Sequence, residues 1–305
     1  MDFNLLTSPE LLLARIFDGL NAGAVYALVA VALVLIFKAT TLINFAQGEM
    51  AMFGAFLAYI GWSEWGLPMW IAVVVAMILS ALGAAAIERT LIRPFDPSDH
   101  LPLVIVTLGL LLIIGAVAGM IWKFDPRPFP ELFPSGSAFR LGIANLRWYT
   151  VFTLAAAVAM MALLQFLLSR TKIGLAFRAV SSNLESSELV GIRVGPTLQF
   201  GWALAAAAGT FGAVIFVADP VRQIEPSIML SVLIFASAAA ALGGLDSLWG
   251  ALVGGLIVGQ VQTLLVNVFT FIPNEMALAA AVFVLLVVLV AKPSGLFGTA
   301  RVERV

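Results

Sequence analysis

Apolar residues run in long blocks broken by short polar stretches, and these blocks organise the chain. Nine stand out, over residues 17–37, 43–61, 68–88, 101–122, 149–169, 197–218, 228–243, 248–270 and 275–292. Most approach or exceed the ~20 residues a helix needs to cross a ~30 Å hydrocarbon layer. In such a setting helices satisfy their own backbone groups. The expected class is therefore an all-α polytopic membrane protein, a single transmembrane domain over residues 1–305. Two blocks are weak: 43–61 opens on polar residues, and 228–243 is short and ends in Gly-Gly. Either fits a discontinuous element, so eight or nine crossings are expected.

Composition supports the membrane setting. Hydrophobic residues make up 62% and charged residues 11%, with mean hydropathy +1.08, where soluble domains carry about a quarter charged residues. Without cysteine, the chain has no disulfide, thiolate nucleophile or cysteine metal site. The single histidine, His100, falls in the polar stretch RPFDPSDHLP and reads as a solvated loop residue rather than a ligand. A net charge of −1 gives no pull on nucleic acid. The N-terminal MDFNLLTSPE lacks the basic start of a cleaved signal peptide, so the first span is expected to persist.

Lys and Arg set the orientation. With nine crossings and the N-terminus outside, ten basic residues fall on the cytoplasmic side and six outside. The Pro- and aromatic-rich loop 123–148 is then extracytoplasmic. Residues 170–196, RTKIGLAFRAVSSNLESSELVGIRVGP, carry helix formers, Ser, Glu and Arg and close on Gly-Pro. They predict one or two short cytoplasmic helices outside the bilayer.

The segment LINFAQGEMAMFGAF sets a polar cluster against a membrane block. On a regular helix over 43–61, Asn44, Gln47 and Gly48 share a small, amide-bearing face. That face suits close helix packing or the lining of a cavity. Glu49 falls on the opposite, bulky face, unless the helix breaks near Gly48 and turns it toward a cavity. Asn21 and Tyr26, in NAGAVYAL, are candidates for the same interior surface. Gly250 and Gly254, with Gly255 and Gly259, form two four-residue pairs suited to tight helix packing.

No G-x-x-x-x-G-K-[ST] loop is present, so ATP hydrolysis by the P-loop route lies elsewhere. Ionisable groups within the apolar blocks are few, chiefly Glu49 and Glu275. That is thin for an ion-coupled carrier. Enzyme motifs such as H-E-x-x-H and G-x-S-x-G are also missing. A transport subunit energised by a partner fits best; an autonomous carrier or channel for a small polar solute, or a scaffold without a pathway, are the alternatives.

The stretch GLNAGAVYALVAVALVLIFKATTLINFAQGEMAMFGAF resembles the N-terminal signature of branched-chain amino acid (LivH-type) ABC importer permeases. The likeness resumes in GLAFRAVSSNLESSELVGIRV and ALGGLDSLWGALVGGLIVG and closes with KPSGLFG. It implies an importer permease of the branched-chain amino acid/ribose permease type in the bacterial cytoplasmic (inner) membrane. It further implies a second related permease, two ATPase subunits that hold ATP and Mg, and a periplasmic or lipid-anchored binding protein. This chain itself would hold no cofactor and no metal. By the same resemblance Arg178, Asn183, Glu185, Glu188, Gly191 and Ile192 belong to the cytoplasmic coupling loop, and Asn44, Gln47, Gly48 and Glu49 to the signature near the pathway. Gln47 stands where many members carry His. Asp219, Arg222 and Glu225 suit the docking of a binding protein's charged surface, or a plain solvated turn. Relatives carry branched-chain amino acids, urea, short amides or carboxylates, so the resemblance leaves the substrate open.

Overall fold

The computed structural model describes residues 8–95, 100–268 and scattered positions between 276 and 298. The elements are α1 (Pro9–Thr40), α2 (Gln47–Ser63), α3 (Met69–Ile87, continued by a π turn, Glu88–Ile92) and α4 (His100–Trp122). Short strands β1 (Arg127–Pro128), β2 (Ser137–Leu141) and β3 (Ala144–Arg147) follow, then α5 (Trp148–Arg170), α6 (Lys172–Ser182) and α7 (Leu184–Leu189). Next come α8 (Val194–Phe216, with a π turn at Val217–Val221), β4 (Gln223–Ile224), α9 (Met229–Gly243) and α10 (Leu248–Val268).

Among the described residues six helices are long and apolar enough to cross a membrane: Pro9–Thr40, Met69–Ile92, Leu101–Trp122, Trp148–Arg170, Val194–Asp219 and Leu248–Asn267. The two weak blocks form shorter helices, 17 residues in α2 and 15 in α9. The ninth block, with Glu275, lies largely outside the described residues.

α1 is the axis of the bundle. Every residue from Ala24 to Ile36 is buried, with α8, α9 and α10 packed around it. The 24–36 stretch is apolar on all sides, the pattern of a helix surrounded by other helices. α3 and α4 lie at the periphery, and Leu82, Leu112 and Met120 are 63%, 69% and 84% exposed. Those large apolar faces are what a lipid-contacting helix requires.

Five of the seven tryptophans mark one end of the bundle, while Trp249 opens α10 at the other. Trp62 and Trp65 close α2, Trp70 opens α3, Trp122 ends α4 and Trp148 opens α5. Trp122 stacks on Phe56 at 4.2 Å between centroids and meets Phe53 edge-on at 5.1 Å. Such a ring of indoles is characteristic of a membrane–water interface. The antiparallel hairpin β2–β3 caps the same end, where Ile143 N–H donates to Glu10 Oε2 at the start of α1 over 3.2 Å.

Four readings of the sequence change. The loop 123–148 is partly strand: β2 pairs with β3, and β1 pairs with β4 from the far side of the chain. Backbone groups at the rim thus find partners that alternation in so short a loop does not announce. The first helix extends to Pro9–Thr40, past the apolar block, with Pro9 at its start and Glu10 in its first turn, and an exposed Arg15–Asp18 pair at 3.2 Å lies in the added turns. His100 opens α4 instead of lying in a turn. Finally, the helix expected from residue 43 begins at Gln47; Asn44 lies in the turn before it, and Gly48 is helical.

Candidate functional site

The delayed start of α2 explains its polar cluster. Thr41, at φ 57°, ends α1 in the left-handed region, and the chain then bends through residues 41–46. Asn44 Oδ1 accepts Ala46 N–H at 3.0 Å, and Gln47 N–H donates to Asn44 O at 3.1 Å. Gln47 Nε2 donates to Ala205 O of α8 at 3.1 Å. Ala205 lies eleven residues past Val194, about 16 Å along α8 at ~1.5 Å per residue. α8 starts at the end away from the tryptophans, so α2 begins near the middle of a ~30 Å layer. A helix terminus has unpaired N–H groups, and in hydrocarbon each costs several kcal/mol. Asn44 meets two of the N–H groups around this start, that of Ala46 through Oδ1 and that of Gln47 through its backbone carbonyl, while the Gln47 amide ties the turn to α8 and gives α2 no side-chain cap.

Three of the four signature residues face three different helices, and Asn44 turns back on the start of α2 itself. Gln47 meets Gly209 of α8, where a Cβ would strike its amide. Gly48 lies against α9, where an added Cβ would be 3.0 Å from Leu233 Cβ and 3.2 Å from Met229 O. Glu49 is 4% exposed, and its Oε2 has no hydrogen-bond partner. It points at Gly115 of α4, whose Cβ would lie 3.4 Å from that oxygen. The separation of Glu49 from Gln47, read from the helical wheel, is present in the fold.

Asn21 and Tyr26 belong to a different junction. Tyr26 donates to Gln262 Oε1 of α10 at 2.5 Å and stacks on Phe235 of α9 at 4.8 Å. Asn21 is 5% exposed and its Oδ1 has no partner. Gln262, too far along the sequence to be paired with Tyr26 by inspection, completes this contact.

The two glycine pairs of α10 serve two neighbours. Gly250 and Gly254 abut α9, at Gly243 and Ala239 O. Gly255 and Gly259 abut α1, at Ala27 and Gly23. A one-residue offset turns the second pair about 100° around the helix, so one helix packs closely on both sides. The segments ALGGLD and KPSGLFG, distant in sequence, also meet: Leu296 N–H donates to Leu242 O at 2.7 Å and Phe297 N–H to Gly243 O at 2.9 Å. Gly244 and Gly295 turn there with φ 107° and 76°, conformations natural to glycine. Lys38 Nζ adds a bond to Asp246 O at 2.6 Å.

At the end away from the tryptophans, α6 and α7 form an elbow. Thr171 caps α6 by accepting Gly174 N–H at 3.0 Å, and Asn183 caps α7 by accepting Ser186 N–H at 2.8 Å. Side-chain oxygens at these positions satisfy free helix N–H groups. Phe177 is 1% exposed and seats against Gly201 of α8, where a Cβ would stand 2.6 Å from its ring. Val180 and Ser187 are also buried, but the outer face of the elbow is exposed. Arg178, Asn183, Glu185, Glu188 and Gly191 are exposed and Ile192 half-buried. Leu189 and Val190 are 88% and 76% exposed.

At the tryptophan end, Asp219 sits in the π turn after α8, 3% exposed. Arg222, at φ 56°, pairs with Glu131 at 2.6 Å and lies 3.8 Å from Asp219. Glu225 is half-buried. Of the three residues considered for docking, Arg222 is the exposed one.

A bundle with six helices of membrane-crossing length among the described residues, tryptophans gathered at one end and a partly exposed elbow at the other defines a polytopic membrane protein. The profile of the family described as branched-chain amino acid transport system / permease component matches residues 15–291, and the chain belongs to that family. The high-affinity branched-chain amino acid transport system permease protein BraD of Pseudomonas aeruginosa is 27% identical over 304 residues, covering 96% of this chain and 98% of BraD. LivH of Salmonella typhimurium, with the same description, is 28% identical over 309 residues, covering 96% and 97%. Among solved structures, PsaBC from Streptococcus pneumoniae in complex with Fab aligns over 94% of this chain and 93% of its own at 14% identity and TM-score 0.46. The chain is accordingly a multi-pass membrane permease and a transport component, not an enzyme.

Proposed function

We propose that this chain is one permease subunit of an ATP-driven ABC importer in the bacterial cytoplasmic membrane. Its cargo is a branched-chain amino acid or a related small carboxylate or amide. A second, related permease completes the pathway as a heterodimer, two ATPase subunits bind ATP and Mg on the cytoplasmic side, and a binding protein delivers cargo to the tryptophan end. The elbow 170–196 is then cytoplasmic, the loop 123–148 extracytoplasmic, and the crossings number eight or nine.

The observation that carries this reading is the elbow. It is capped at both helix starts and anchored by Phe177, yet it projects Leu189 and Val190 into the open. Exposed apolar side chains on a rigid, charged platform suit insertion into a partner's cleft. Arg178, Glu185 and Glu188 around them set its orientation through charge. Asn44, Gln47, Gly48 and Glu49 border the pathway through the mid-layer start of α2. Arg222, with Glu225, meets the binding protein.

Co-expression with candidate ATPases, followed by purification and an ATPase assay in lipid with loaded binding proteins, tests the assignment. A stable complex stimulated by one loaded binding protein is the expected result and also identifies the cargo. A folded chain that transports alone, with no gain from ATPases, would instead establish an autonomous carrier.

A further inference from the structure

Near its end α3 loosens into the π turn Glu88–Ile92, closed by Arg93 N–H donating to Glu88 O at 2.7 Å. In an α-helix, residues five apart point about 140° away from one another. A π turn's i→i+5 winding stacks them instead. The turn thereby creates an ion pair that α-helical spacing would forbid. Arg93 Nη2 and Nε donate to Glu88 Oε2 and Oε1 at 2.5 and 3.2 Å, and Glu88 is 1% exposed.

The same guanidinium reaches across to α8. Arg93 Nη2 donates to Gly195 O at 3.1 Å and to Gln199 Oε1 at 3.3 Å. Gln199 Nε2 donates back to Ala85 O of α3 at 2.9 Å. Gly195 is the second residue of α8, where the elbow joins that helix. A Cβ there would lie 3.2 Å from the guanidinium carbon, so glycine leaves the fork its space. A cleft of ≈ 750 Å³ lies between the elbow and the end of α3, with Glu88 and Arg93 among its lining residues and Asn183, Glu185 and Glu188 also facing it.

We propose that Arg93, held in place by Glu88, is the positioning residue that transmits movement of the elbow to α3. This inference rests on the elbow being the ATPase contact. Displacing the elbow pulls on the first turns of α8, and Arg93 joins those turns to α3 across the cleft. The bonds from Arg93 to Gly195 O and Gln199 Oε1, and from Gln199 to Ala85 O, tie the end of α3 to the start of α8, while the pair with Glu88 inside α3 holds the guanidinium in place, because breaking it would leave a buried carboxylate uncompensated. The planar fork of Arg, with donors aimed at Glu88 and at α8 together, is something Lys cannot reproduce.

The test is cargo uptake per ATP hydrolysed by the complete complex in liposomes. The double variant E88Q/R93Q removes both charges without stranding either. It is expected to assemble and to hydrolyse ATP, while uptake per ATP falls about tenfold. R93K, keeping charge without the fork, is expected between wild type and the double variant. An unchanged ratio in E88Q/R93Q overturns the proposal. Should that variant fail to assemble, Q199L, which leaves the ion pair intact, and R93K decide: a lowered ratio supports the proposal and a wild-type ratio in both overturns it. Failure of the elbow reading itself gives a different result, a wild-type complex whose assembly is indifferent to the elbow.

Discussion

The side-chain amide of Gln47 donates to the carbonyl of Ala205 over 3.1 Å, tying the first turn of α2 to the interior of α8. Gly209, one turn further along α8, has no side chain where that amide lies. Two helices thus share one polar contact inside an apolar bundle.

Because that amide fills the space over Gly209, Gly209→Ala is expected to destabilise the fold chiefly by displacing it. Gln47→Ala alone should cost about 1–3 kcal/mol through the lost buried bond. The pair Gln47→Ala/Gly209→Ala should cost less than the sum of the single changes. Thermal unfolding in detergent for all four members of the cycle measures this; strict additivity would contradict the shared contact.

Glu49 offers a second test. Its Oε2 is buried without a partner, and an ionised carboxylate in hydrocarbon is unfavourable. Glu49→Gln keeps the shape and is expected to melt at or above the wild-type temperature. Glu49→Leu keeps the burial but loses the polar group. If Glu49 borders the pathway, both variants fold and only transport changes. A Glu49→Gln protein that unfolds readily would instead make the charge structural.

Glycines on α10 divide by what they face. Gly255→Val and Gly254→Val would drive side chains into the backbones of α1 and α9. Overpacking of this kind costs about 1–3 kcal/mol or more, and loss of monodisperse protein on size exclusion is expected. Gly83 on α3 has nothing within 4 Å of an added Cβ, so Gly83→Ala should leave yield and melting unchanged.

At the elbow, Leu189→Asp with Val190→Asp changes residues that touch little within the chain. The fold should melt as wild type, while co-purification of ATPase subunits is lost by about tenfold or more, as for a hot-spot contact. Phe177→Ala, in contrast, empties the socket at Gly201 and should lower melting itself, by about 3–5 kcal/mol. Comparing the two separates docking from anchoring.

The membrane setting, the six helices of membrane-crossing length among the described residues and the short helices between residues 172 and 189 were legible in the order of residues, because hydrocarbon demands long apolar blocks and charged, capped stretches stand apart from them. Gly-x-x-x-Gly spacing on α10 announced close packing for the same local reason. What the sequence could not specify was which side chains meet. Tyr26 finds Gln262, Gln47 finds Ala205 and KPSGLFG finds the turn after α9 only once the bundle has closed. The start of α2 at Gln47 was likewise hidden, since the polar cluster suited helix packing and cavity lining equally until α8 was seen to take the Gln47 amide. Nothing in the order of residues joins Glu88 to Arg93, five residues apart, because a π turn leaves no periodic signature. Hydropathy is a sum over each segment and survives without a partner. Buried hydrogen bonds and ion pairs depend on distances of a few ångströms between segments, and only the tertiary structure decides those.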